Sequence, residues 1–241
     1  MQAPSALAML GAWERGVEQD AVERGLQLLA LACPDRDVEA LAALGIGERD
    51  RALLTLRQAL FGPRMTGVVS CPGCGESLEF EFDAAALRGA PQQPGPLELD
   101  EDGVVVQLRL PDSHDLRACA AVDAAAAPAL LLQRCVVSAQ RDGRPLPAAE
   151  LPPQLVDHAA RRLAEADPQA DLRLALSCGA CAHQWRAPFD VVRYLWAELE
   201  AWAARMLQDV HCLASAYGWA ERDILALSGT RRRHYLRMLG A

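Results

Sequence analysis

The segment Ser70-Cys71-Pro72-Gly73-Cys74-Gly75-Glu76-Ser77-Leu78-Glu79-Phe80-Glu81-Phe82-Asp83 returns 107 residues later in altered form, as Ser177-Cys178-Gly179-Ala180-Cys181 followed by Trp185, Phe189 and Asp190. In the first copy Leu78, Phe80 and Phe82 alternate with Glu79 and Glu81, the period of two that marks a half-buried strand. Val68 and Val69 lead into the cysteines from the other side, so each copy reads strand, Cys-x-x-Cys, strand, Asp, helix. Two copies of one unit constrain an architecture more than either alone, and the expectation is two hairpins that face each other.

A Cys-x-x-Cys pair serves redox chemistry when it opens a helix, whose dipole lowers the thiolate pKa. Here each pair precedes a strand pattern, which points to metal instead. Cys71, Cys74, Cys178 and Cys181 offer four soft thiolates, the donor set of a structural, tetrahedral Zn²⁺ in a zinc ribbon. Four thiolates close the coordination sphere and leave no position for water, so a catalytic metal is not expected. The 103 residues between the pairs require a unit inserted within the ribbon. His183 is a further possible ligand, and Cys33, Cys119, Cys135 and Cys212 read as small core residues.

The rest of the chain falls around this centre. Ala21–Cys33 is helical, capped by Asp20 and stopped by Pro34; Asp37 opens a short turn through Leu44; Glu48–Phe61 is helical and ends at Gly62-Pro63. Between the pairs, Gly89–Pro96 reads as a loop and Val104–Leu110 as a strand. Asp115–Ala126 and Ala129–Arg134 read as helices, Val136–Ser138 as a strand before the turn Asp142-Gly143, and Gln154–Ala166 as an amphipathic helix. From Val192 to Tyr217 apolar residues recur every three or four positions, one helix of about seven turns closed by Gly218. Glu221–Leu227 and Arg231–Leu239 are two short helices, with Thr230 as cap between them. The expected fold is α+β: residues 1–65 an N-terminal helical region, 66–90 and 171–190 a split zinc-ribbon-like pair of β-hairpins, 91–170 an inserted small α/β unit, and 191–241 the long helix plus two short ones.

Composition bounds the function. The 241 residues are 51% hydrophobic and 23% charged, with mean hydropathy +0.02, which suits a packed core and excludes a disordered chain. The longest apolar runs, around Ala124–Leu132 and Val104–Val106, are far shorter than the roughly 20 residues that span a bilayer. The opening reads as a helix rather than a signal peptide, because no basic region precedes its apolar stretch. A soluble, cytoplasmic protein is expected. All 24 basic residues are arginine and the net charge is −8, which argues against broad nucleic-acid binding. Ser113-His114-Asp115 has triad letters, but sequence neighbours point apart, and it reads as a helix start with Asp and Ser as caps. Asp157-His158 reads as a solvated face. Arg231-Arg232-Arg233-His234 could face phosphates as in helix-turn-helix proteins. With Trp219, the three arginines are the candidate partner-binding surface, since aromatic and Arg residues dominate binding hot spots.

From His211 onward the chain is similar to the tail of phage baseplate hub assembly chaperones and their relatives in contractile injection system gene clusters. The residues that carry the likeness are Tyr217-Gly218-Trp219, Asp223-Ile224-Leu225, Leu227-Ser228, Arg231-Arg232 and Tyr235-Leu236. Leu60-Phe61-Gly62, the first Cys-Pro-x-Cys-Gly, Ala166-Asp167-Pro168-Gln169-Ala170, and Phe189-Asp190 leading into Leu195-Trp196 extend it to the injection-system members. The second pair departs from the pattern, reading Cys-Gly-Ala-Cys-Ala-His. The resemblance implies a non-enzymatic component or assembly factor of a phage-tail-like baseplate, partnered with hub or other particle proteins. A zinc-ribbon regulator that binds nucleic acid is the alternative, and a Cys-x-x-Cys oxidoreductase a third reading.

Overall fold

The computed structural model describes residues 3–89 and 97–240. The expected loop after Gly89 lies mostly outside them. Four helices come first: α1 (Ala6–Gly16), α2 (Ala21–Ala32), α3 (Val38–Ala42) and α4 (Ile46–Phe61). Ser5, Asp20 and Asp37 cap the first three by accepting backbone N–H bonds. The expected turn after Asp37 is thus a helix of five residues, and α4 starts two residues earlier than Glu48.

The hairpin β1 (Arg64–Ser70) and β2 (Ser77–Asp83) follows, antiparallel with Ser70 opposite Ser77, and Asp83 caps the short α5 (Ala84–Leu87). The chain then builds a four-stranded antiparallel sheet from β3 (Leu97–Glu101), β4 (Val104–Leu108), β5 (Val136–Arg141) and β6 (Arg144–Pro145). Within it come α6 (Ser113–Ala120) and α7 (Ala127–Cys135), and after it α8 (Pro153–Ala166). Val104, Val106 and Leu99 of the sheet and Leu155 and Ala159 of α8 form a core of their own. β3 was not expected. The helix expected over Asp115–Ala126 is shorter, because a new turn starts at Asp123, whose carbonyl accepts the Ala126 and Ala127 N–H groups, and Pro128 then fits the first turn of α7.

The second hairpin, β7 (Arg173–Ser177) and β8 (Gln184–Pro188), pairs Ser177 with Gln184, the register of the first copy shifted by 107. Asp190 caps α9 (Val191–Tyr217), 27 residues long, which Gly218 closes in the left-handed region at φ +66°. Two short helices complete the chain, α10 (Glu221–Leu225) and α11 (Gly229–Met238). Ser228, not Thr230, caps α11, by accepting the Arg231 N–H.

The largest core joins α1, α2 and α4 to the first half of α9 through Leu28, Leu29, Leu53, Leu56, Leu195 and Leu199. Gly16 lets α1 end against the Trp196 ring: a Cβ there would lie 2.4 Å from it. Arg57 on α4 donates to both Glu198 oxygens on α9, at 2.9 and 2.6 Å. No helix among the described residues is long and apolar enough to cross a membrane.

Candidate metal centre

Each hairpin is held at its base by an aromatic residue in the same place of the repeat. Phe82 is the last but one residue of β2, Phe189 follows β8, and the two rings meet edge to face at 5.4 Å. Tyr194 on α9 packs on Phe189 at 5.3 Å. Its hydroxyl donates to the Thr66 carbonyl at 2.9 Å and accepts the Thr66 N–H at 3.1 Å. The two hairpins are thereby tied to one helix.

At the far ends the chain turns twice in the same way. In the first turn Gly75 N–H donates to the Cys71 carbonyl and Cys71 N–H to that of Glu76, both at 2.8 Å. In the second, Ala182 N–H donates to Cys178 and Cys178 N–H to His183, both at 2.9 Å. Gly75 and Ala182 both have positive φ, +78° and +59°. The altered second pair thus keeps the turn of the first, with alanine in a conformation that favours glycine.

These turns bring four sulfurs together. Cys71 Sγ lies 3.7 Å from Cys181 Sγ and Cys74 Sγ 3.7 Å from Cys178 Sγ. All four fall within 4.8 Å of one another. Sulfurs around a tetrahedral zinc, each about 2.3 Å from the metal, stand about 3.8 Å apart, whereas a disulfide needs about 2 Å. All four cysteines are free. The first of each pair is buried and the second exposed, so the cluster is open on one side of the hairpin tips. The residues can hold one metal ion.

The thiols compete for charge. The Cys181 N–H, helped by that of Ala180 and opposed by desolvation, brings Cys178 down to about 7. The Glu76 N–H works to lower Cys74, yet the Cys181 thiol, desolvation and the thiols of Cys178 and Cys71 push it up to about 12. A divalent cation favours the thiolate at every ligand and relieves that competition. His183 stays outside the four: its ring stacks on Trp185 at 5.8 Å and covers Gly73, where a Cβ would lie 3.2 Å from the ring. Of the remaining cysteines Cys135 is fully buried and Cys33 packs half-buried against the main core, while Cys119 and Cys212 are half-buried and outside the core clusters, which corrects the reading of those two as core.

The other candidates resolve into structure. Asp112 caps α6, and Asp115 closes the capping box while taking Arg109 at 2.6 and 2.8 Å and Arg134 at 2.8 Å. Those bonds outweigh desolvation and lower its pKa to about 2. His158 on α8 pairs with Glu101 on β3 rather than facing solvent alone. Trp219 stacks on Tyr217 at 4.8 Å and meets Tyr235 edge-on at 4.9 Å, and Arg232 binds Asp209 at 3.0 Å. Both hold α11 against α9, while Arg231 and Arg233 are exposed.

One contact was missed from the sequence. Gly45 leaves α4 without a side-chain cap, and Asp167 takes that place from 120 residues away, accepting the Gly47 N–H at 2.8 Å. A Cβ at Gly47 would lie 1.8 Å from the carboxylate. Gln169 likewise accepts the Gly89 N–H at 2.7 Å.

Residues 9–193 match the family described as the T4 bacteriophage base plate protein. The match starts within α1, takes in α2 to α4, both hairpins and everything between them, and stops just inside α9. Neither a curated protein nor a solved structure matches the chain. With more than half its length matched, from the first helix past the second cysteine pair, the chain belongs to the T4 bacteriophage base plate protein family.

Proposed function

We propose that this protein is a non-enzymatic structural component or assembly factor of a contractile, phage-tail-like baseplate, acting in the cytoplasm or within the assembled particle through contacts with other tail proteins. The family match over residues 9–193 carries the reading. In it, Cys71, Cys74, Cys178 and Cys181 hold one structural Zn²⁺ that pins a split zinc ribbon. Residues 91–170 form a unit inserted between the halves, and the C-terminal helices, with Trp219 and Arg231–Arg233, meet the partner. The sulfur spacing of 3.7 Å and the matching turns support zinc. Four thiolates would saturate the ion, so it would fix geometry and leave no site for a reacting water.

The rival reading, a ribbon that binds nucleic acid, finds little support at the hairpin tips. The exposed face of the first hairpin carries Glu76 and Glu79, which would repel phosphates, while Glu81 is paired with Arg64. The test of the assembly role is copurification: the tagged full chain, expressed in the strain that makes the particles, should be recovered with baseplate proteins or their subassemblies. Recovery with nucleic acid and no tail protein would overturn it.

A further inference from the structure

The helix α11 divides by face. Tyr235 packs on Trp219 and Arg232 reaches Asp209, so one face is docked. On the adjoining face Arg233, Leu236 and Arg237 join Gln208, Asp209 and Cys212 of α9 to line an open groove of about 610 Å³. Leu236 and Cys212 give it an apolar floor. Asp209, the one acid among the lining residues, is neutralised by Arg232, whose side chain is 11% exposed. Arg233 and Arg237 are exposed on the rim and have no carboxylate partner among the described residues.

We propose that this groove seats a helix of another protein, with two carboxylates one turn apart meeting Arg233 and Arg237 and an apolar side chain between them set against Leu236 and Cys212. Charge argues for that occupant. α11 has four arginines and no acid, on a chain whose net charge is −8. An acidic helix is drawn to this arginine cluster, against the net negative charge of the chain as a whole. Spacing argues for it too, since residues four apart on a helix are surface neighbours, so the two guanidiniums match carboxylates at the same interval. Two cations over an apolar floor suit a helix laid in a groove better than a phosphate polymer. The inference rests on the reading that the C-terminal helices contact tail proteins, and it names what such a partner must present.

The test uses the full chain and a labelled synthetic amphipathic helix, leucines on one face flanked by glutamates four residues apart. Its controls are the same peptide with glutamine for glutamate and a short DNA duplex. The glutamate peptide should bind saturably, about tenfold or more tighter than the glutamine version. Arg233→Glu with Arg237→Glu should weaken it by a further tenfold or so at unchanged melting temperature, and the double Gln variant should fall between. Equal binding of the two peptides, an unaffected charge-reversed protein, or preference for the duplex would overturn the proposal. Loss of peptide binding with normal particle assembly would keep the groove and remove the assembly reading. Failed assembly with intact peptide binding would do the reverse.

Discussion

Ala182 stands at φ +59° where the first turn has Gly75 at +78°, and a left-handed conformation costs a residue with a Cβ about 1 kcal/mol. Ala182→Gly should therefore stabilise the protein by up to about 1 kcal/mol. Gly75→Ala, with nothing within 4 Å to clash, should destabilise it by a similar amount, both read from denaturant unfolding. That the second pair lacks the usual glycine blurred its signature in the sequence, yet the thiols alone carried the reading, because the turn depends on backbone hydrogen bonds that alanine also makes. Buried acids were not legible at all. Asp50 is pushed up to about 6 by burial, against Arg49 and with Asp190 and Asp167 adding to the rise. A raised pKa means the folded state holds the proton longer, so this contribution is complete below about pH 4 and lost as pH rises through 6. Asp50→Asn should gain stability relative to the native chain across that window, by about 3 kcal/mol at most, at about 1.4 kcal/mol for each of the roughly two pH units by which the carboxyl is raised. A flat difference between pH 4 and 7 would refute the assignment.

At the scale of elements, what the sequence announces is what is local. The period-two hairpins, the Asp20 and Asp83 caps and the long α9 all sit within a few residues of their signals. β3 was missed because only two apolar residues, Leu97 and Leu99, carry its alternation with Glu98 and Asp100, although Asp102-Gly103 is a hairpin turn signal. The Asp167 cap on α4 was illegible for a different reason: its donor and acceptor are 120 residues apart. Asp167→Ala should cost about 1 kcal/mol, the usual loss of a cap, through loosening of α4 from the segment that precedes β7. Hydrogen exchange at Gly47 should then quicken while exchange in α9 stays unchanged.

For the molecule as a whole, two Cys-x-x-Cys pairs 103 residues apart in the chain meet at one point, the four-cysteine cluster. Purified protein should contain one zinc per chain. Cys178→Ser should lose it and lower the melting temperature by roughly 10 °C, given several kcal/mol lost at about 2–4 °C per kcal/mol for a chain of this size. Metal-free protein that melts identically in chelator would remove zinc from the account. The C-terminal reading was only half legible: Trp219 and Arg232 stood out as hot-spot types, but the stacking on Tyr217 and the Asp209 ion pair give them a packing role that no local pattern reveals. The most direct measurement is the number of assembled particles, counted by electron microscopy, in a producing strain from which this gene is deleted. The account predicts few or no complete baseplates, restored by the intact gene; a normal yield of complete particles would contradict it.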